Sequence, residues 1–232
     1  MTRKKSTIGI IGLGPVGSIL AAHLAQSGEN VVVQDAMQNI LLKVKKDGLN
    51  VSGITKITVK INNIANSIPE LTQFGPDIIF IVTKACYLKD IVPEIKRIYI
   101  PKMKIVSFQN GLGNEQFIAD NMGIDTVYRA VINYAGNLLS PGNVVMNWFQ
   151  PPNYIGALHR AKYTADGTTR QIASILTESG LKSEEARDVK KHVWEKTILN
   201  SALCSICAVT GQTMKEAMEF QHSRSMAVKM LE

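Results

Sequence analysis

The chain has 232 residues, 45% hydrophobic and 19% charged with few aromatics, a composition that excludes a disordered protein. Its length suits one complete domain plus a smaller one. The formal charge of +7 comes from scattered basic residues, such as Lys43, Lys56, Lys102 and Lys190, with no aromatics interleaved for base stacking, so no nucleic-acid partner is expected.

The N-terminal MTRKKST is basic, but the apolar run after it is short and broken by Gly9, Gly12 and Gly14, unlike a secretory signal. No stretch reaches the roughly 18 uncharged apolar residues of a membrane span. A cytoplasmic protein that does not engage membranes is expected.

The first element, TIGIIGLG (7–14), reads as an apolar strand ending in glycines. PVGSILAAHLAQSGE then reads as a helix entered at Pro15 and left at Gly28, and NVVVQD (30–35) as a short buried strand. This β-α-β unit is what builds parallel sheets. MQNILLKVKKD predicts a helix, and ITKITVKI an alternating strand with its lysines on a solvated side. PDIIFIVTK (76–84) is a continuous apolar run of the buried parallel type, with a helix expected over 87–98. KIVSFQNGLG reads as a strand entering a glycine turn, and NEQFIADNM as a helix. TVYRAVINYAG, NVVMNWF and NYIGAL read as three strands, with the turn signal SPG among them. TTRQIASILTESG predicts a helix, EEARD a connection, and a long helix follows from about 188 to 209. TMKEAMEFQHSRSMAVKM predicts one more helix.

Within the first unit, Gly12-Leu13-Gly14-Pro15-Val16-Gly17 fits G-x-G-x-x-G between a strand and a helix. There Gly12 suits the tight turn, Gly14 close approach of pyrophosphate, and Gly17 packing of helix on strand. The helix N-terminus offers free N–H groups to phosphates. Asp35 ends the second strand, where a carboxylate can take the ribose 2′-hydroxyl and repel a 2′-phosphate, and Ala36 supplies no arginine for that phosphate. NAD(H) is therefore expected over NADP(H), which stands as the alternative. The fold class expected is α/β: a Rossmann-type, doubly wound, mainly parallel sheet over 1–187, followed by a small, truncated all-helical domain over 188–232.

In the long helix, Lys196, Asn200 and Cys204 recur every four residues and share one drifting face. A lysine there needs a partner or a task if it faces the interior. Cys204 and Cys207 spell C-x-x-C without the preceding strand of a redox motif or the second pair of a zinc site, so they are expected as small buried hydrophobes. His23, His159, His192 and His222 show no ligand spacing, and no metal is expected.

Several stretches together resemble the ketopantoate reductase family: GLGPVG, VTKA, FQNGLGN, the SPGNVV to IGAL region and WEKTILNSALCSICAVTG, in the family's order over almost the whole chain. The resemblance implies a Rossmann domain, a C-terminal helical domain and catalysis in the cleft between them. It implies reduction of a small 2-oxo acid by a nicotinamide cofactor, ketopantoate to pantoate in pantothenate biosynthesis being the namesake reaction. It makes Lys196 the catalytic lysine and Asn200 a substrate-binding residue, puts Asn110 near nicotinamide and substrate, and sets Lys84 beside the cofactor. An ammonium at the carbonyl oxygen can stabilise the forming alkoxide and donate a proton.

Two departures follow from the same comparison. Cys204 stands at a substrate-facing position where the family commonly has a second asparagine, a weak substitute in hydrogen bonding. The family's helical domain also continues well past this length and supplies a serine and a glutamate; a chain that stopped naturally at Glu232 would lack one wall of the cleft, and the terminal Leu-Glu leaves open a longer coding sequence. Self-association, as a homodimer, is expected from the apolar surface of a short helical domain. Two other readings stay open: a β-hydroxyacid dehydrogenase related to 3-hydroxyisobutyrate dehydrogenases, and a catalytically inactive NAD(H)-binding sensor or interaction protein.

Overall fold

The computed structural model describes residues 5–158 and 167–231; His159 lies outside them. The chain divides into two compact units, Met1–Val189 and Lys190–Glu232. In the first, β1 (Thr7–Ile11), α1 (Pro15–Gln26) and β2 (Asn30–Gln34) form the expected β-α-β unit, followed by α2 (Gln38–Asp47), β3 (Leu49–Gly53), β4 (Ile57–Val59) and β5 (Asn63–Ala65). Next come β6 (Ile78–Ile81), α3 (Leu88–Ile98), β7 (Lys104–Ser107), α4 (Asn114–Met122) and β8 (Tyr128–Val131). The unit continues with β9 (Tyr134–Ser140), β10 (Asn143–Phe149), β11 (Asn153–Ala157), α5 (Thr168–Glu178) and β12 (Ser183–Glu185).

Among the described residues the main sheet runs β12-β11-β8-β7-β6-β1-β2-β5. Every pairing in it is parallel except that of β11 with β8. Its central strands are buried on both faces, and alternation sorts their side chains into two cores. Ile78 and Phe80 of β6 join α1, α2 and α5 on one side, while Ile79 and Ile81 join α3 and α4 on the other. Helices on both faces make the sheet doubly wound, as expected.

A second sheet, ordered β4-β3-β10-β9, was not expected. The run TVYRAVINYAG is two strands rather than one: β8 belongs to the main sheet and β9 to the second. Between them Asn133 leaves the ladder, its amide N–H donating to Asn153 Oδ1 at 2.7 Å and its Nδ2 to the Pro152 carbonyl at 2.6 Å. EEARD, read as a connection, contributes to β12, which pairs with β11. The second sheet covers α1, so that helix lies between two sheets and has no solvated face: Ile19, Leu20, Ala21, Ala22 and Leu24 are all fully buried.

The second unit carries α6 (Val189–Thr210), α7 (Met214–Glu219) and α8 (Gln221–Leu231). The last predicted helix is therefore two. Thr213 and Glu216 form a capping box that starts α7, and Phe220, with extended backbone at ψ 119°, ends it. Ile206, Ala217 and Ala227 pack the three helices together. Among the described residues no helix is long and apolar enough to cross a membrane.

His23 on α1 is 6% exposed, with Nδ1 2.7 Å from the Ser179 carbonyl oxygen. A carbonyl only accepts, so Nδ1 carries the proton, and Nε2 is left a buried lone pair with no hydrogen-bond partner among the described residues. Burial holds the His23 pKa below its ordinary value. The unfolded chain takes up this proton near pH 6.5 and the folded chain only at lower pH, so the neutral ring's full contribution is present above about 6.5 and is lost as the pH falls through the folded value. In denaturant titrations the stability of wild type relative to His23→Leu is expected to fall as the pH drops below about 6.5; a difference independent of pH contradicts this.

Candidate functional site

The glycine loop leaves the carboxyl end of β1, whose neighbours β2 and β6 lie on opposite sides. This is the switch point at which open parallel sheets bind ligands. Gly12 has φ +103°, and a Cβ there would lie 2.9 Å from the Thr83 amide nitrogen. A Cβ on Gly17 would lie 1.9 Å from the Gly12 carbonyl oxygen, so only glycine lets the first turn of α1 press on the loop. Gly14 differs: its φ is an ordinary −64° and a Cβ there would meet nothing within 4 Å. The open space at Gly14 leaves room for an anion beside the first-turn N–H groups of α1. Leu13 is fully buried, and Pro15 and Val16 are half-buried at the start of α1.

Asp35, just past β2, accepts from the Leu13 N–H at 2.7 Å and from the Met37 N–H at 2.8 Å through its two oxygens. It thus fastens the glycine loop to the next strand while keeping lone pairs for a further donor. Lys84 is exposed beyond β6 and precedes a short 3-10 turn, Ala85–Tyr87. Asn110 is exposed beyond β7, its carbonyl accepting from Asn114 Nδ2 at 2.9 Å. These four loops follow consecutive parallel strands, β2, β1, β6 and β7, and share the sheet's carboxyl edge.

A buried polar chain runs under that edge, and sequence reasoning missed it. Arg129 of β8 donates through Nη1 to Ser107 Oγ at 3.1 Å and through Nη2 to the Gly111 carbonyl at 2.8 Å, and it pairs with Glu115 at 3.4 Å. Ser107 Oγ donates to Gln109 Oε1 at 3.3 Å, and Gln109 Nε2 to the Thr83 carbonyl at 2.7 Å. The available signal was the arginine inside TVYRAVI, the same oddity of a charge in an apolar run that singled out Lys196. Tyr134 was also missed: fully enclosed, it donates its hydroxyl to the Val16 carbonyl at 3.1 Å, and burial raises its pKa.

In the second unit, Lys196 and Asn200 are half-buried on α6, and burial lowers the Lys196 pKa from its ordinary value. Cys204 is exposed and Cys207 half-buried, which corrects the expectation that both are buried hydrophobes. The neighbours packed on α6 in this unit meet Leu203, Ile206 and Cys207, and Cys204 is not part of that cluster. Trp194, Ile198 and Leu199 are likewise 44–55% exposed, so the stretch is less enclosed than its hydrophobicity suggests. Among the described residues no cluster of three His, Cys, Asp or Glu side chains could hold a metal ion.

The sequence model of the family described as "Ketopantoate reductase PanE/ApbA" matches residues 8–160, more than half of the chain. The chain belongs to the ketopantoate reductase family. It is 26% identical over 209 residues to the 2-dehydropantoate 2-reductase of Streptococcus pyogenes serotype M3, covering 89% of this chain and 65% of that one. It therefore spans about two thirds of the length of that relative. The 2-dehydropantoate 2-reductase of Geobacter metallireducens shares the fold, with a TM-score of 0.79 at 21% identity over 95% of this chain and 71% of that one. So does a D-mandelate dehydrogenase solved with NADH and anilino(oxo)acetate, with a TM-score of 0.78 at 20% identity over 95% of this chain and 70% of that one.

The family's glycines separate into two kinds in this member. Gly14→Ala is expected to leave unfolding free energy within about 0.5 kcal/mol of wild type, because its Cβ enters open space. Gly17→Ala is expected to lose about 3 kcal/mol or more, the cost of overpacking against backbone. Equal losses in parallel denaturant melts refute this division.

Proposed function

We propose that this ketopantoate reductase family member reduces a small, ketopantoate-like 2-oxo acid to the 2-hydroxy acid, using a nicotinamide dinucleotide with NAD(H) preferred. What carries the reading is the gathering of Gly12–Gly17, Asp35, Lys84 and Asn110 along one edge of the sheet, with Gly14 open beside the amides of α1. The residues fit the cofactor: Gly12, Leu13, Gly14, Pro15, Val16 and Gly17 would hold its diphosphate, Asp35 its adenosine ribose, and Lys84 and Asn110 its nicotinamide half. When bound, that group supplies the hydride. Lys196 donates the proton to the substrate's carbonyl oxygen and stabilises the charge forming there, while Asn200 and the position of Cys204 contact the acid. A homodimer in the cytoplasm, serving pantothenate biosynthesis, completes the reading. Exposed Phe220, Met226, Val228 and Met230 support self-association.

A second reading, an NAD(H)-binding protein without turnover, is favoured by the exposed thiol of Cys204 in place of an asparagine. The two separate in one assay. With ketopantoate and NADH, turnover is expected in wild type, and Lys196→Ala is expected to lose at least about a hundredfold in kcat while keeping NADH affinity. Because burial lowers its pKa, Lys196 loses its proton at lower pH than an ordinary lysine, so kcat/KM is expected to fall on the basic side below the usual lysine range. Tight NADH binding with no turnover in wild type favours the second reading, and an active Lys196→Ala removes lysine from the mechanism.

Cofactor choice is tested at Asp35. Asp35→Asn retains an acceptor for the loop and removes the charge that repels a 2′-phosphate. The ratio of kcat/KM for NADH over NADPH is expected to exceed one in wild type and to fall about tenfold in the variant. A wild type that prefers NADPH overturns the assignment.

A further inference from the structure

The loop from β7 to α4 is exposed from Asn110 to Gly113 and contains two glycines at positive φ, Gly111 at +99° and Gly113 at +76°. Glycine reaches such angles at little steric cost, which also leaves the loop without side chains to stiffen it. Leu112, its one large residue, is 43% exposed.

Its two ends are tied by Gln109 Nε2 to the Thr83 carbonyl and by Asn114 Nδ2 to the Asn110 carbonyl, and its middle is held from beneath. Arg129, its side chain 2% exposed, contacts Ser107 at the end of the strand before the loop, the carbonyl of Gly111 within it, and Glu115 in the first turn of the helix after it. One planar fork therefore fastens three successive pieces of chain. The arrangement is costly. Arg129 Nε and Glu115 Oε2 have no hydrogen-bond partner among the described residues, and burial pulls the arginine pKa down although Glu115 opposes it. A strand that needed only packing at this position would be served as well or better by an apolar residue, so a buried charge pair here calls for a geometric role.

We infer that Arg129, supported by Glu115, is a positioning residue that clamps the Gln109–Gly113 loop and so sets how Asn110 is presented at the carboxyl edge of the sheet. Its effect on turnover rests on the proposed role of Asn110; the clamp itself does not.

Two variants test it. Arg129→Lys keeps a charge beside Glu115 but loses the fork. The double variant Arg129→Met/Glu115→Leu removes both charges while keeping volume, and guards against misfolding of the first. Backbone ¹⁵N order parameters of Gly111, Leu112 and Gly113 are expected near about 0.85 in wild type and below about 0.6 in either folded variant. A loop already mobile in wild type, or equally rigid in both variants, overturns the clamp.

With NADH and ketopantoate, Arg129→Lys is expected to lower kcat by about tenfold to a hundredfold, the scale of a misplaced reacting group. In an Asn110→Ala background most of that loss is expected to vanish, because both changes disable one device. Fully additive losses overturn the route through Asn110. If wild type turns over no 2-oxo acid, the functional reading fails, and the order parameters still decide for or against the clamp.

Discussion

The contact between Gly17 and the carbonyl of Gly12 is the constraint on which the carboxyl edge of the sheet depends. Missing side chains at these two positions let the first turn of α1 close on the exit of β1, with Thr83 packed on the other side of Gly12. Asp35 then fastens Leu13 to the exit of β2, and Gln109 fastens Thr83 to the exit of β7. Four loops are thereby set relative to one turn of backbone, and the open side of Gly14 is the space they leave.

Polar groups are buried in this protein mainly where such setting is needed. Most of the two cores flanking the sheet is aliphatic, yet Arg129, Glu115, Gln109 and Ser107 are buried together beneath one loop. Tyr134 spends its hydroxyl on the first turn of α1, and His23 ties that helix to the end of α5. Each exchanges water for a single directional bond, and the net gain of such a bond is small. Their common property is that they fix where backbone lies.

Much of this was legible in the sequence. The continuous apolar run of β6, the glycine spacing after β1 and the acid after β2 each follow from one local requirement, and the resemblance to the family rests on the order of such stretches. The second sheet was not legible, because β3 pairs in parallel with β10 from the far end of the unit and neither run announces its partner. The break at Asn133 was hidden for a similar reason: VINY has no glycine or proline, and the chain changes sheet through hydrogen bonds from Asn133 to Asn153 and Pro152. Arg129 was passed over because a single charge in an apolar run reads as surface until its partners are known. The exposure of Cys204 could not be read either, since the part of α6 after Asn200 carries no charge and nothing in its periodicity says which face its neighbours take.

The enclosure of α1 between two sheets bears on how portable the glycine loop is. In a sheet whose first helix faces water, the turn and helix could be exchanged between proteins as a cassette, needing agreement with one surface only. Here Ile19 lies so close to Gly136 of β9 that a methyl group at that glycine would sit 2.8 Å from its Cδ1. A transplanted segment would have to match two independent surfaces at once, so redesign of nucleotide preference in this scaffold is better confined to the residues after β2 than attempted by swapping the whole unit.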